Sequence, residues 1–182
     1  MLPSPYPFTL SKENSYVFKT NSGLTYSVYF DASSGGIFPD EIVDKYTVYL
    51  GFSCEPPIEE PFKKKGDSRV GATIMILIAN FFAFSPKSIL SYICSSANKQ
   101  ERHRAIAFRW WYNHSPLKSE FTHIQMEYLG NYYGVIYSKN HQDISAIEDS
   151  LLLFETDNKF EFFEPSSSYM NYSELEEDDF IL

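Results

Sequence analysis

Apolar and polar positions alternate along the first third of the chain, as they do in strands with one buried face. Between residues 16 and 30, two apolar runs flank Asn21-Ser22-Gly23, a triplet in which glycine can adopt a positive φ. A third apolar run, at 46–54, has the length of another strand. The pattern therefore predicts a hairpin and a third strand, with a short helical turn at 39–43 between them.

One apolar run, from Val70 to Phe84, is too long for a strand, because strands rarely exceed about ten residues. It is also shorter than the ~20 apolar residues that a helix needs to cross a bilayer. Asp67 or Ser68 is a natural N-cap before it, and Pro86 ends it. Since the run is apolar on every face, we expect a central helix that is covered on both sides.

The rest of the chain continues the alternation of strands and helices. Asn98, followed three residues later by Glu101, is a variant of the capping box and predicts the start of a second main helix. The fold class that follows is α/β (α+β), with a mixed, mostly antiparallel sheet and two main helices. The other predicted elements are a buried strand at 88–95, a hairpin at 120–139 turned at Gly130-Asn131, a helix at 144–154 and a short strand at 159–163.

Charge is distributed unevenly along the 182 residues, whose net charge is −9. Residues 143–182 contain twelve acidic residues and one basic residue, a net charge of −11, whereas residues 1–142 carry +2. A hydrophobic content of 43% is that of a globular protein. We therefore predict a single domain at 1–142 and a C-terminal extension with an acidic tail at 143–182.

Several classes of function find no support in the sequence. The four histidines lack metal-ligand spacing, so no metal is predicted, and no basic groove surrounds Trp110 and Trp111, so no nucleic acid is expected. The opening residues lack the basic and apolar regions of a signal peptide. Cys54 and Cys94 are interpreted as reduced thiols, with Cys94 a buried structural residue, which favours the cytoplasm and no membrane association.

The basic loop before the first main helix is the best candidate for a binding site. Lys63, Lys64, Lys65 and Gly66 directly precede the helix start, where unpaired N–H groups and the helix dipole attract anions. A solvated basic loop is the alternative interpretation. Elsewhere, the predicted second helix carries an arginine-rich stretch, 102–109, interpreted either as an anion-facing patch or as its wet side.

The order of elements resembles the GNAT acyltransferase superfamily over about residues 16–140, a sheet antiparallel at both ends with a parallel strand–helix–strand step in the middle. Lys63-x-x-Gly66-x-Ser68 matches the spacing of the superfamily's phosphate-binding loop, and Asn98 matches an asparagine that opens its next helix. The resemblance implies acetyl-CoA or another acyl-CoA as cofactor, bound by these residues. The segments DSRVGATI and YICSSANKQERHRAIAFRWW further resemble a family of small uncharacterised bacterial proteins.

Two departures from the superfamily's pattern leave two hypotheses open. Ala105 stands where a proton-donating tyrosine is usual, and Asp67 adds a negative charge to the phosphate loop. The first hypothesis is an acyl-CoA-dependent N-acyltransferase, with Glu127 and Tyr128 as candidate base or acid. The second is a non-catalytic protein-interaction module on the same scaffold. For partners, the acidic tail suggests a protein partner or self-association.

Overall fold

One mixed sheet organises the residues that the computed structural model describes, which are 2–32, 38, 40–55, 67–94, 101–158 and 161–162. Its eight strands lie in the order β1-β2-β3-β4-β5-β7-β6-β8. In chain order they are β1 Phe8–Leu10, β2 Ser15–Lys19, β3 Thr25–Asp31, β4 Thr47–Glu55, β5 Ile89–Cys94, β6 Phe121–Tyr128, β7 Asn131–Ser138 and β8 Glu161–Phe162. The helices are α1 Glu41–Lys45, α2 Ser68–Phe84, α3 Glu101–His114, α4 Leu117–Glu120 and α5 Ile144–Asn158.

The β4–β5 pair is parallel, and the other six strand pairs are antiparallel. This arrangement confirms the predicted fold class, because the sheet is mixed and mostly antiparallel. Both predicted hairpins form. The turn of the second comprises Leu129 and Gly130, with φ of 50° and 76°, since Tyr128 pairs with Asn131. The predicted turn at Gly130-Asn131 was therefore wrong by one residue.

Two apolar layers cover the sheet. On one face, α2 and α3 bury a core that includes Val28, Leu50 and Ile78. On the other face, α1 and α5 pack over β5, β6 and β7, where Tyr137 and Ile147 are buried. Strands β5 and β7 therefore contribute residues from opposite faces to two cores, as their nearly continuous apolar sequences indicate.

Helix α2 is covered on two sides, as expected, but it is not buried on every face. Ile78 is fully buried, but Ile76 is 41% exposed and Phe84 is 89% exposed. The sheet and α3 cover two sides of α2 and leave a third side accessible, so an apolar sequence on every face did not mean burial on every face. Among the described residues, no helix has both the length and the apolarity to cross a membrane.

Candidate functional site

The two parallel strands at the centre of the sheet pair over part of their length. The register joins Thr47–Tyr49 of β4 to Ile89–Ser91 of β5 and then ends. Beyond this point, β4 remains paired with β3 and β5 with β7 to their last residues. Among the described residues, the facing backbone edges at 50–55 and 92–94 therefore have no pairing with each other. We call these two unpaired edges the β4–β5 fork.

Both long helices of one layer begin at the open end of the fork. Because β4 and β5 are parallel, α2 returns from the carboxyl end of β4 to the start of β5, and α3 follows the carboxyl end of β5. The charge of Asp67, just before α2, acts on Tyr26, the cross-strand partner of Cys54 near the end of β4. The open end of the fork thus adjoins helix N-termini, which attract anions.

Asp67 is the N-cap of α2. Its φ of −111° and ψ of 94° are extended, and its Oδ1 accepts a 3.1 Å hydrogen bond from the backbone N–H of Arg69. Ser68, a predicted site residue, is the first residue of the helix and is partly buried. The carboxylate satisfies one of the N–H groups that an anion would otherwise bind. Any phosphate at this end of α2 therefore has to tolerate a neighbouring negative charge.

Five predicted site residues lie outside the described residues, namely Lys63, Lys64, Lys65, Gly66 and Asn98. Of the predicted cofactor site, the structure describes Ser68 alone.

The N-terminal segment crosses the start of α2, which sequence reasoning missed. Arg69 donates from Nε to the carbonyl of Ser4 and from Nη2 to that of Pro5, at 3.0 and 3.1 Å. Its guanidinium carbon lies 3.9 Å from the centroid of the Tyr6 ring. The Tyr6 hydroxyl in turn donates to Asp67, and burial together with this hydrogen bond raises the pKa of Tyr6. The contact between this segment and α2 was not predicted, because the three prolines of the segment indicated only the absence of regular structure.

Two buried oxygens near the fork have no hydrogen-bond partner among the residues that the structure describes. One is Oγ of Ser91, the last residue of β5 that pairs with β4, and this serine is 5% exposed. The other is Oε2 of Glu101, in the first turn of α3. Buried polar atoms are nearly always satisfied, so each of these oxygens indicates a place for a polar partner. Ser91 alternates with Leu90 and Tyr92 and therefore faces the α5 layer, whereas Glu101 begins α3 on the other face, so Glu101 is the one that adjoins the helix N-termini. The sequence contains no signal for either role.

Three side chains at or beside the carboxyl end of β5 have groups that could act as a nucleophile, an acid or a base. They are Cys94 on β5, Tyr132 on β7 and Glu127 on β6. Burial raises the pKa of the Cys94 thiol to about 12, so at neutral pH it is not a thiolate nucleophile. Its cross-strand neighbour Tyr132 has a pKa raised to about 12 by burial and by a hydrogen bond to Glu127. Glu127, a predicted base or acid, is thus engaged with Tyr132.

The arginines of α3 lie along this same region. All three, Arg102, Arg104 and Arg109, are partly buried. The charge of Arg104 acts on Cys94, and that of Arg102 acts on Tyr132. These arginines therefore place positive charge close to the end of β5, and α3 does not direct all of its positive charge to solvent, as a purely solvent-exposed side would.

A buried polar network joins α3 to the sheet. Gln125 donates from Nε2 to Tyr92 Oη and to the carbonyl of Ala105, both at 2.8 Å, and Tyr92 Oη lies 2.7 Å from His123 Nε2. Burial, and then the charge of Arg109, lower the pKa of His123 to about 3. The imidazole is therefore neutral, and its Nε2 accepts a hydrogen bond from the Tyr92 hydroxyl. Aromatic rings surround this network, which suits it to fixing the core rather than to binding ligand.

An apolar cavity of 580 Å³ lies on the open side of α2, away from the fork. It is bounded by Ile76 and Ala83 of α2, Leu117 of α4, Phe121 of β6 and the N-terminal Leu2. We call it the α2–α4 groove.

The histidines are dispersed through the structure. His114 stacks on Trp110 with ring centroids 4.1 Å apart, and the Nε2 atom of the buried His141 lies 2.9 Å from the Lys87 carbonyl oxygen. Within the part of the chain that the structure describes, no three His, Cys, Asp or Glu side chains are grouped as a metal site would require.

Comparison of this chain with protein families, with curated proteins and with solved structures found no match.

Proposed function

We propose that the β4–β5 fork binds the pantetheine chain of an acyl-CoA and that the protein is an N-acyltransferase. The observation that carries the proposal is the early end of β4–β5 pairing while both strands continue. An extended ligand with amide groups can pair with exposed strand edges as an added strand does. Pantetheine is such a ligand, since it contains two amides in an extended chain.

The charges around the fork support an anionic cofactor. The first turns of α2 and α3 adjoin its open end, and Arg102 and Arg104 lie near the end of β5. Lys63–Lys65 directly precede α2 in the sequence and would offset the charge of Asp67. The central parallel pair between antiparallel ends supports the resemblance to the GNAT superfamily. We also propose that the protein is bacterial and cytoplasmic.

Glu101 is the group that we propose as the base of the transfer. Its Oε2 is buried at the start of α3, beside the open end of the fork, and has no hydrogen-bond partner within the described part of the chain. In the transfer, the acceptor amine attacks the thioester carbonyl, the carbon–sulfur bond breaks and CoA leaves as the thiol. A carboxylate positioned beside the amine would accept the proton that the amine loses and pass it to the departing thiolate, so that CoA leaves as the thiol. Ala105, fully buried one turn further along α3, cannot supply the tyrosine hydroxyl of the superfamily.

The second candidate function is a non-catalytic interaction module that retains the scaffold. The same Ala105 favours it, because a buried alanine has no proton to donate. Binding of acyl-CoA without turnover would also fit this candidate. Binding of acyl-CoA alone therefore does not distinguish the two functions, whereas transfer of the acyl group does.

The binding test measures hydrogen–deuterium exchange of the whole protein with and without acetyl-CoA. We expect added protection at 50–55 and 92–94, because a ligand strand would engage these amides, and no change in the paired segment 47–49, which is the internal control. At ten times its Kd, the ligand should also stabilise the fold by about 1.4 kcal/mol. Absence of both effects would overturn the proposal.

Two sets of variants separate binding from transfer. Replacing Lys63, Lys64 and Lys65 by serine should remove the stabilisation by acetyl-CoA without lowering the melting temperature of the free protein, since exposed charges contribute little to stability. Glu101→Gln should retain acetyl-CoA binding and lose CoA release with a panel of primary amines. If wild-type protein binds acetyl-CoA but releases no CoA with any amine, the interaction module is the better assignment.

A further inference from the structure

The α2–α4 groove leaves apolar side chains accessible on one side of an otherwise well-packed helix. Ile76 is 41% exposed, and Ala79, Ala83 and Leu117 line the same cavity. The cavity lies between α2, α4 and the N-terminal segment, so it is separate from the fork and plays no part in the proposed transfer. Accessible apolar surface of this kind commonly marks an interaction site.

Three exposed lysines border one end of this groove. Lys87, Lys118 and Lys139 each directly follow a lining residue, namely Pro86, Leu117 and Ser138. They are close together, because Lys139 Nζ donates to the carbonyl of Lys118 at 2.7 Å, and His141 joins the carbonyls of Lys87 and Ser138. Glu120 is the acidic residue among the lining side chains. The groove therefore suits a segment with apolar side chains next to acidic ones.

The chain itself is directed toward this groove where its described part ends. β8 is antiparallel to β6, with Glu161 opposite Glu127 and Phe162 opposite Met126. It therefore runs toward the start of β6, where Phe121 lines the groove. Five residues of strand separate Met126 from Phe121, about 17 Å. The twelve residues that lead from Phe162 to Glu174 can span up to ~40 Å, which is more than enough.

We propose that residues 174–182, ELEEDDFIL, dock in the α2–α4 groove of the same molecule. Phe180, Ile181 and Leu182 would occupy the apolar part of the groove, and the acidic run before them would face the three lysines. A tethered segment meets its site at an effective concentration of about millimolar, so modest contacts are sufficient for docking. The tail would cover the exposed side of α2 and so act as part of the fold.

The test is carbodiimide cross-linking of the full-length protein, followed by mass spectrometry of the monomer band. This reagent joins a carboxylate to a lysine only when the two are in contact. We expect the acidic residues of the segment 174–179 to couple to Lys87, Lys118 or Lys139. They should not couple to the control residues Lys12, in the β1–β2 turn, and Lys19, on β2, both of which are exposed. Equal coupling to all five lysines, or coupling confined to a dimer band, would overturn docking within one molecule.

Matched variants test the groove directly. Ile76→Glu places a like charge in the groove and should reduce the specific cross-links at least about fivefold, the factor that corresponds to roughly 1 kcal/mol. Leu152→Glu is the control, because Leu152 is a 51% exposed apolar residue on the distant helix α5. Serine at positions 180–182 should have the same effect as Ile76→Glu without altering the folded body. Cross-links that survive in both the groove variant and the tail variant would overturn the proposal.

Discussion

The hydroxyl of Tyr6 donates a 2.5 Å hydrogen bond to Oδ2 of Asp67, across 61 residues of sequence. Oδ1 of the same carboxylate caps α2 through the N–H of Arg69. Oγ1 of Thr73, one helical turn beyond Arg69, accepts a 2.8 Å hydrogen bond from the backbone N–H of Tyr6. One carboxylate thus begins the central helix and attaches the N-terminal segment to it.

Replacement of Asp67 by alanine should therefore lower the free energy of unfolding by about 1–2 kcal/mol for the lost N-cap. It also leaves the Tyr6 hydroxyl without its acceptor. Asp67→Asn is the matched control, since asparagine caps helices well and retains an oxygen for Tyr6. Urea denaturation would measure all three proteins. Equal stability of Asp67→Ala and wild type would contradict the assigned cap.

His123 should make the protein sensitive to mild acid. The pKa of His123 is lowered from 6.5 to about 3 in the folded state, so between these values the unfolded chain binds a proton that the folded chain does not. Its contribution is fully present above pH 6.5 and is lost as the pH falls toward 3, by about 2 kcal/mol at pH 5. His123→Gln should flatten this dependence between pH 7 and 5.

The control for the pH experiment is His114→Gln, at an exposed position at the end of α3. Its stability should follow pH as the wild type does. A wild-type protein equally stable at pH 7 and pH 5 would contradict the buried, neutral state assigned to His123.

Two glycines that lie beneath tyrosine rings should respond differently to alanine. A Cβ at Gly134 would lie 2.0 Å from Cζ of Tyr92, whose ring is 2% exposed and whose hydroxyl is held by two partners. A Cβ at Gly51 would lie 2.1 Å from Cζ of Tyr29, which is 39% exposed and has room to move. We expect Gly134→Ala to cost about 1–3 kcal/mol or more, and Gly51→Ala to cost less. The reverse order in thermal denaturation would show that Tyr92 can adjust.

Two isoleucines of α2, two residues apart, test its burial. Ile78 is fully buried, so Ile78→Asp places an unpaired charge in the core and should abolish cooperative folding. Ile76 is 41% exposed, so Ile76→Asp should remain folded, with a small change in melting temperature. Circular dichroism on heating separates the outcomes. A cooperative melt of Ile78→Asp near the wild-type temperature would contradict the core position.

Most helices and strands, and the parallel strand–helix–strand step at the centre of the fold, could be predicted from local sequence patterns. Alternation in β3, the glycine with φ of 90° at position 23 and the length of the Val70–Phe84 run act over a few residues, so they can be read locally. The N-cap expected at Asp67 or Ser68 is Asp67, directly before α2. Each of these predictions rests on one continuous segment, from a three-residue turn to a run of fifteen residues.

Contacts between distant segments became visible when the chain was seen folded. The tertiary structure placed β7 between β5 and β6, brought Tyr6 to Asp67, ended β4–β5 pairing at Tyr49 and left Ile76 accessible. None of these relationships has a local signal, because Tyr6 and Ile76 have the same apolar character whichever surface they meet. The free energy of such contacts depends on how the whole chain closes around the sheet, so residues far apart in sequence determine them jointly.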